Sequence, residues 1–278
     1  MVRVAVAGDL HVGSTVALSP KRWVMGDENI HVASPKQMVI LELWNRKWGR
    51  VFEDSMDVIS VINGDLVEGG RRGQVETWAP RMKDQMDAVV ELLLPIATRS
   101  KQTIITRGTP FHVQDGGNVE DVIAKELGAK GMKAHKRVRL TIEEVTIEFV
   151  HKGPKFGSRA WTWSNNVRNQ VLSNATRDIM LGKKPVDLYV YSHYHRVADS
   201  GPVVIDLPGG IQYTTRGIIC PSWKLIDEWT NHTDAPLADI GLLVLDIDGK
   251  NLTIRKDYES FDPTEGMVYD VGPDPRGA

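Results

Sequence analysis

Five runs of β-forming residues punctuate the chain, and each stops on a polar cluster: residues 2–11 (VRVAVAGDLH), 58–68 (VISVINGDLVE), 103–112 (TIITRGTPFH), 145–153 (VTIEFVHKG) and 186–195 (VDLYVYSHYH). Their length, β-branched and aromatic content and polar stops predict strands. Helical patterns fall between them. Ser34-Pro35-Lys36-Gln37 reads as N-cap, N1 proline and capping-box glutamine ahead of Leu41, Trp44, Trp48, Val51 and Phe52. Met82, Met86, Val89, Val90 and Leu93 form a second stripe, expected to stop near Pro95. Asn118 reads as the cap of a third helix, with Val119, Val122, Ile123 and Leu127 inward. Strand alternating with helix predicts an α/β fold with parallel strands.

Beyond Val138 the pattern changes. RVRLTIEEVTIEFVH reads as a hairpin turning at Glu143-Glu144, and Asp248-Gly249 marks a second turn inside LLVLDIDGKNLTIRKDY. The sum is two packed sheets flanked by helices. With no internal repeat or long linker, residues 1–278 are expected to form one domain, with insertions at about residues 12–35 and 154–184.

Composition narrows the function classes. Lys and Arg total 34 against 36 Asp and Glu, a net charge of −2, so no global footprint for nucleic acid or membrane exists, though a local basic groove is compatible. No apolar stretch has the roughly 18–20 residues of a transmembrane helix, and no leader pattern opens the sequence. The single Cys220 fits a reducing compartment, so a cytoplasmic protein is expected.

The strand ends share one chemistry. Asp9 and His11 close the first run, Asp65 the second, His151 follows the hairpin, and His193 and His195 close the last. In extended backbone residues i and i+2 face the same side, which aims His193 and His195 at one point. Ligands of α/β sheets bind beyond the carboxyl ends of strands, so six metal-capable side chains would converge there. Imidazole mixed with carboxylate suits manganese, iron, zinc, nickel or cobalt better than calcium or magnesium alone. A carboxylate shared by two ions would make a dinuclear site that acidifies a water and neutralises phosphate oxygens, a combination phosphoester hydrolysis uses fully.

In that order, GDLH, NGDLVEG, a histidine after a hairpin and SHYH resemble the calcineurin-like metallophosphoesterases, whose blocks read D-x-H, GD, GNH, a later H, and GHxH. The resemblance spans residues 9–195. It implies a four-layer α/β/β/α sandwich of two mixed β-sheets flanked by helices, and two divalent transition-metal ions. It assigns Asp9, His11 and His195 to one ion, His151 and His193 to the other, and Asp65 as the bridge. It implies a phosphoester substrate, a nucleotide or nucleic acid included, hydrolysed by a metal-bound hydroxide; with the Arg and aromatic candidates below it favours a phosphodiesterase, a nuclease or small-diester hydrolase, the alternatives being a phosphomonoesterase or nucleotide phosphatase and a catalytically impaired binding module on the same fold.

Two blocks depart from that pattern. Ser192 replaces the first glycine of GHxH. At the GNH block the chain reads Arg107-Gly108-Thr109-Pro110-Phe111-His112, so Thr109 stands where the asparagine ligand would be and the histidine arrives two residues late. Either a hydroxyl or water replaces the amide, or His112 turns inward as a ligand, or His112 donates a proton to the leaving oxygen; the catalytic role is preferred. This variant resembles metallophosphoesterases of phages and prophages. Gly117-Asn118-Val119-Glu120 imitates a GNH block without its histidine, which makes Asn118 a competing ligand. Glu68, three residues after Asp65, is a candidate ligand or outer support for one. Arg71 and Arg72 are candidate phosphate contacts, and Trp161 and Trp163 candidate stacking surfaces for a base. The polar segment from Gly13 to Ile30 is expected to overhang the site as a loop.

Overall fold

A computed structural model describes residues 1–54, 56–70, 76–112, 118–155, 162–226 and 237–261. Strands β1 (Val2–Ala7), β4 (Asp57–Asn63) and β5 (Gln102–Thr106) run parallel, as the alternation with helices predicts. The long hairpin of β12 (Ala238–Asp248) and β13 (Asn251–Phe261), turning at Gly249, adds antiparallel to β1 and completes the sheet order β13-β12-β1-β4-β5. In the second sheet β6 (Val138–Ile142) pairs antiparallel with β7 (Val145–Lys152) across the predicted Glu143-Glu144 turn. There β7 and β11 (Ile211–Ile219) flank β8 (Leu188–Ser192) in parallel, while β9 (Ala198–Asp199) and β10 (Val203–Leu207) pair antiparallel with β11.

The period-2 alternation of β1 sorts the layers. Val4 and Val6 join Ile59, Val61, Phe149, Leu188 and Val190 in the core between the sheets. Ala5 and Ala7 face the other way, into a core with Trp44 and Trp48 of α1 (Pro35–Val51), Ala88, Val89 and Leu93 of α2 (Met82–Arg99), and Ile123 of α3 (Val119–Glu126). On the far side of the second sheet, Tyr189, Tyr191 and Ile219 pack against Val167 and Val171 of α4 (Trp163–Met180). The order is therefore helices, sheet, sheet, helix. A Cβ on Gly217 of β11 would lie 2.3 Å from Val171 Cγ2, which is why this strand carries no side chain where α4 crosses.

Helix α1 begins as its sequence predicts: the Ser34 hydroxyl accepts from the Gln37 N–H, and the Gln37 side chain accepts from the Ser34 N–H. Three expectations need correction. Helix α2 continues past Pro95 to Arg99, because Pro95 forfeits one backbone bond while Ile96 beyond it remains buried. Val122 of α3 is exposed, and Glu120 and Ala124 take the inner face with Ile123. The segment after His11 is more than a loop: Ser14, Ala17, Leu18 and Ser19 are buried, and β2 (Arg22–Val24) pairs with β3 (Ile30–Val32) in a small separate hairpin.

Candidate metal centre

Each of the six residues stands at or just beyond a strand end, and the two sheets bring those ends together. Asp9 and His11 follow β1, Asp65 follows β4, His151 is the penultimate residue of β7, and His193 and His195 follow β8. Backbone bonds fix the loops to one another: Asp9 N–H donates to Gly64 O, His11 N–H to Asp65 O and Trp223 N–H to Asp9 O, each at 3.0 Å. Five of the eight non-glycine residues with positive φ among the described residues are Asp9, His11, Asp65, His193 and His195. Left-handed backbone costs a non-glycine residue on the order of 1 kcal/mol or more, so strain concentrated at one point marks a site.

Ligand-capable atoms fall into three overlapping groups, each with its atoms within 4.8 Å of one another: Asp9, Asp65, His151 and His193; Asp9, His11 and His195; and His11, Asp65 and His112. Asp9 Oδ1 is the pivot. It is buried without a hydrogen-bond partner, and the Nε2 atoms of His195, His11 and His151 stand 3.7, 3.9 and 3.9 Å away. That spacing is too long for hydrogen bonds and suits ligands converging on a shared cation, which sit on the order of 3–4 Å apart at metal–ligand distances of roughly 2.1 Å. An orphaned buried carboxylate oxygen ringed by imidazoles fits a metal ion, since leaving it uncompensated is costly.

Electrostatics agrees with the geometry. Burial, with His112 and Lys224 nearby, holds the His11 imidazole well below its usual range, and burial with His11 and Lys224 does the same to His195. Both are neutral bases suited to ligation. Burial also pushes Asp9 up to about 6, against the pull of His151. For Asp65 burial acts upward too, but His151 overcomes it and holds this carboxyl well below its usual range. His151 shows the converse: burial disfavours its charge, yet Asp65 and Asp9 push it up to about 10. His151 Nδ1 donates to Asn63 O at 2.7 Å, and Nε2 lies 2.9 Å from Asp65 Oδ2.

The departures from the family pattern now have locations. Thr109 donates its N–H to Asp65 Oδ1 at 2.6 Å, and its hydroxyl lies 3.1 and 3.2 Å from the two carboxylate oxygens. His112 packs its ring edge-on to His11 at 4.5 Å, donates Nδ1–H to Glu68 O at 2.6 Å, and places Nε2 3.8 Å from Asp65 Oδ2. Asn118 holds the N-cap position of α3 but, contrary to the cap expected of it, is exposed and makes no side-chain cap bond. Ser192 accepts from Asn63 Nδ2 at 2.8 Å, while Asn63 Oδ1 accepts from Thr106 at 2.7 Å, so a polar bridge joins β4, β5 and β8 beneath the site. Glu68 is buried beside His11, as a candidate ligand or outer support requires. Arg71, Arg72 and Trp161 lie outside the described residues. Trp163 meets the Arg196 guanidinium, 4.6 Å from its ring centre, so one face is already covered.

Two supports escaped sequence reading. Glu120 accepts the Gly108 N–H at 3.0 and 3.1 Å, and Lys224 reaches Glu68 from the segment after β11. Gly108 itself has a signal in hindsight: a Cβ there would lie 2.0 Å from Asp65 Oδ1 and 2.3 Å from Asp65 N.

The fold and site define an α/β protein of two mixed sheets whose adjoining strand ends carry a buried Asp/His cluster able to hold metal ions. That architecture, with these Asp and His residues in chain order, is the one implied by the resemblance of GDLH, NGDLVEG, His151 and SHYH to calcineurin-like metallophosphoesterases. No protein-family model and no curated protein matches the chain. Among solved structures, Vps29 from Entamoeba histolytica complexed with Zn²⁺ aligns over 94% of this chain and 99% of its own, at 13% identity and a TM-score of 0.41. The E. coli phosphoesterase Yfce aligns over 91% and 96%, at 16% identity and a TM-score of 0.39. A hypothetical protein from Pyrococcus horikoshii aligns over 95% and 90%, at 11% identity and a TM-score of 0.45. Identities and scores this low assign no activity to this chain. Among the described residues no helix is long and apolar enough to cross a membrane.

Proposed function

We propose that this chain is a metal-dependent phosphoester hydrolase holding two divalent transition-metal ions, and that it acts on phosphodiesters in preference to monoesters. The observation that carries the metal reading is the buried, unpartnered Asp9 Oδ1 among three imidazoles. Asp9, His11 and His195 would hold one ion, His151 and His193 the other, with Asp65 between them. When bound, such ions act as Lewis acids toward phosphate oxygens and lower the pKa of a water. Manganese, iron, zinc, nickel and cobalt all suit the donor set.

The chain's own groups supply the rest. Access is from one side, because Asp9, Asp65, His11 and His151 are sealed while His193, His195 and His112 keep 27%, 17% and 12% of their side-chain surface open. A phosphate entering there meets His112, whose Nδ1–H is anchored on Glu68 O and whose Nε2 faces inward. Protonated at Nε2, His112 delivers that proton to the departing oxygen. The diester preference is supported by the family resemblance and by Arg71, Arg72 and Trp161 as candidate contacts for a nucleotide or nucleic acid. Near-neutral net charge weighs against a processive enzyme of duplex DNA. The single buried Cys220 supports a cytoplasmic setting.

The test is turnover of bis(p-nitrophenyl) phosphate against p-nitrophenyl phosphate with each metal, with and without chelator. Chelator-sensitive hydrolysis favouring the diester is expected. A monoester preference would make the protein a phosphatase, and no turnover with any metal would make it a binding module on this fold.

A further inference from the structure

Glu68 touches two histidines at once, by different atoms. Its carboxylate oxygen Oε2 stands 2.9 Å from His11 Nδ1, and its backbone carbonyl accepts His112 Nδ1–H at 2.6 Å. In both rings Nε2 is the nitrogen turned toward the cluster. The first approach is a short charge contact, not aligned as a hydrogen bond. Glu68 N–H donates to Val12 O at 3.0 Å, which pins the residue beside the His11 loop. On its other side Lys224 Nζ donates to both carboxylate oxygens at 3.0 and 3.1 Å. Both side chains are sealed, at 5% and 7% exposure. Apolar residues of similar size would fill such a place at no desolvation cost, so stability alone gives a poor account of a buried ion pair.

We infer that the Lys224–Glu68 pair is a positioning device for the metal position formed by Asp9, His11 and His195. The inference rests on the metal-site reading above. A neutral imidazole has two tautomers, and a carboxylate beside Nδ1 selects the Nδ1–H form, leaving the Nε2 lone pair for a cation and making it more basic. Lys224 holds both carboxylate oxygens of Glu68 from the side away from His11, so that Glu68 supports His11 without competing for the ion. Glu68 and Lys224 are therefore positioning residues: they act through His11.

The informative variant replaces both charges together. Glu68→Leu with Lys224→Met leaves neither charge buried alone, so the protein is expected to fold with a melting temperature equal to the parent's or higher. Calorimetric titration of the chelator-treated protein with Mn²⁺ or Zn²⁺ should then show one binding step weakened about 10- to 100-fold and the other unchanged. Should the double variant not fold, Glu68→Gln, which keeps size and shape, is expected to weaken the same step. Histidine-selective ¹⁵N labelling supplies a metal-independent readout, with His11 as the Nδ1–H tautomer in the parent and a mixture in the variants. Intact binding steps with a lowered melting temperature would make the pair purely structural, and an Nε2–H tautomer in the parent would overturn the inference. If the parent binds no metal, the site reading itself fails, and the tautomer spectrum still judges the pair.

Discussion

Thr109 grips the carboxylate of Asp65 with two groups, its backbone N–H at 2.6 Å and its hydroxyl at 3.1–3.2 Å. Where the family resemblance places an asparagine ligand, this chain has a residue that fixes the proposed bridging carboxylate. Thr109→Val removes the hydroxyl and keeps the backbone contact. A hydrogen bond to a charged group contributes about 1.5–3 kcal/mol, so metal affinity should fall about 10- to 100-fold, with Thr109→Asn restoring part of it. Titration of the three proteins with Mn²⁺ checks this, and unchanged affinity in Thr109→Val would deny the hydroxyl any part in the site.

His112→Ala should keep the metal content and slow hydrolysis about 10²- to 10⁴-fold. The loss should shrink for a nitrophenyl ester, whose phenolate leaves without help. If His112 is a ligand, the same change should instead empty one position. Turnover on good and poor leaving groups, read beside metal analysis, separates the two roles. Full metal content with unchanged turnover on the poor leaving group would remove His112 from the mechanism.

Gly108→Ala tests the crowding beside Asp65. The added Cβ meets the Asp65 backbone N as well as its carboxylate, so the turn must shift. A loss of about 1–3 kcal/mol is expected, with reduced metal binding. Chemical denaturation and metal titration give both numbers; a variant with parental values would mean the turn yields freely.

A fourth prediction concerns the join between the sheets. Burial of Asp199 on β9 acts to raise its pKa, but hydrogen bonds from Arg216 on β11 and Lys256 on β13 hold it at about 2. A depressed carboxyl stabilises the fold above its unfolded pKa near 3.8, and that contribution fades as the pH falls toward 2. Asp199→Asn should therefore cost about 1–2 kcal/mol at pH 7, and the gap from the parent should narrow below about pH 4. Urea melts across that range measure it, and a gap independent of pH would show that the charge is not what matters.

These sites were not equally legible in the sequence. Asp9, His11, Asp65, His193 and His195 stand one to four residues beyond strand ends, so the rule of strand carboxyl ends predicts their convergence, but left-handed backbone at all five replaces the extended geometry expected of His193 and His195. The pairings Lys224–Glu68 and Asn63–Ser192 join residues 156 and 129 positions apart, and only the placement of β11 beside β8 and of one sheet on the other brings them together. Glu68 illustrates the limit: its spacing from Asp65 makes it a candidate, but the partner that permits its burial is set by topology. Pro95 failed as a stop signal for a similar reason, because burial of Ile96 outweighs one lost backbone bond. Strands β10 and β11 went unread, since Gly209-Gly210 interrupts them and Gln212, Thr214 and Thr215 dilute the apolar pattern.

The central claim is that Asp9, His11, Asp65, His151, His193 and His195 together hold two cations. Metal analysis of chelator-treated protein reconstituted with Mn²⁺ or Zn²⁺, then freed of excess ion, tests it most directly. The parent should retain about two ions per chain, His11→Ala about one, and Asp65→Asn fewer than His11→Ala, because a bridging carboxylate serves both positions. A parent that retains none, or two substitutions with equal and slight effects, would contradict the account.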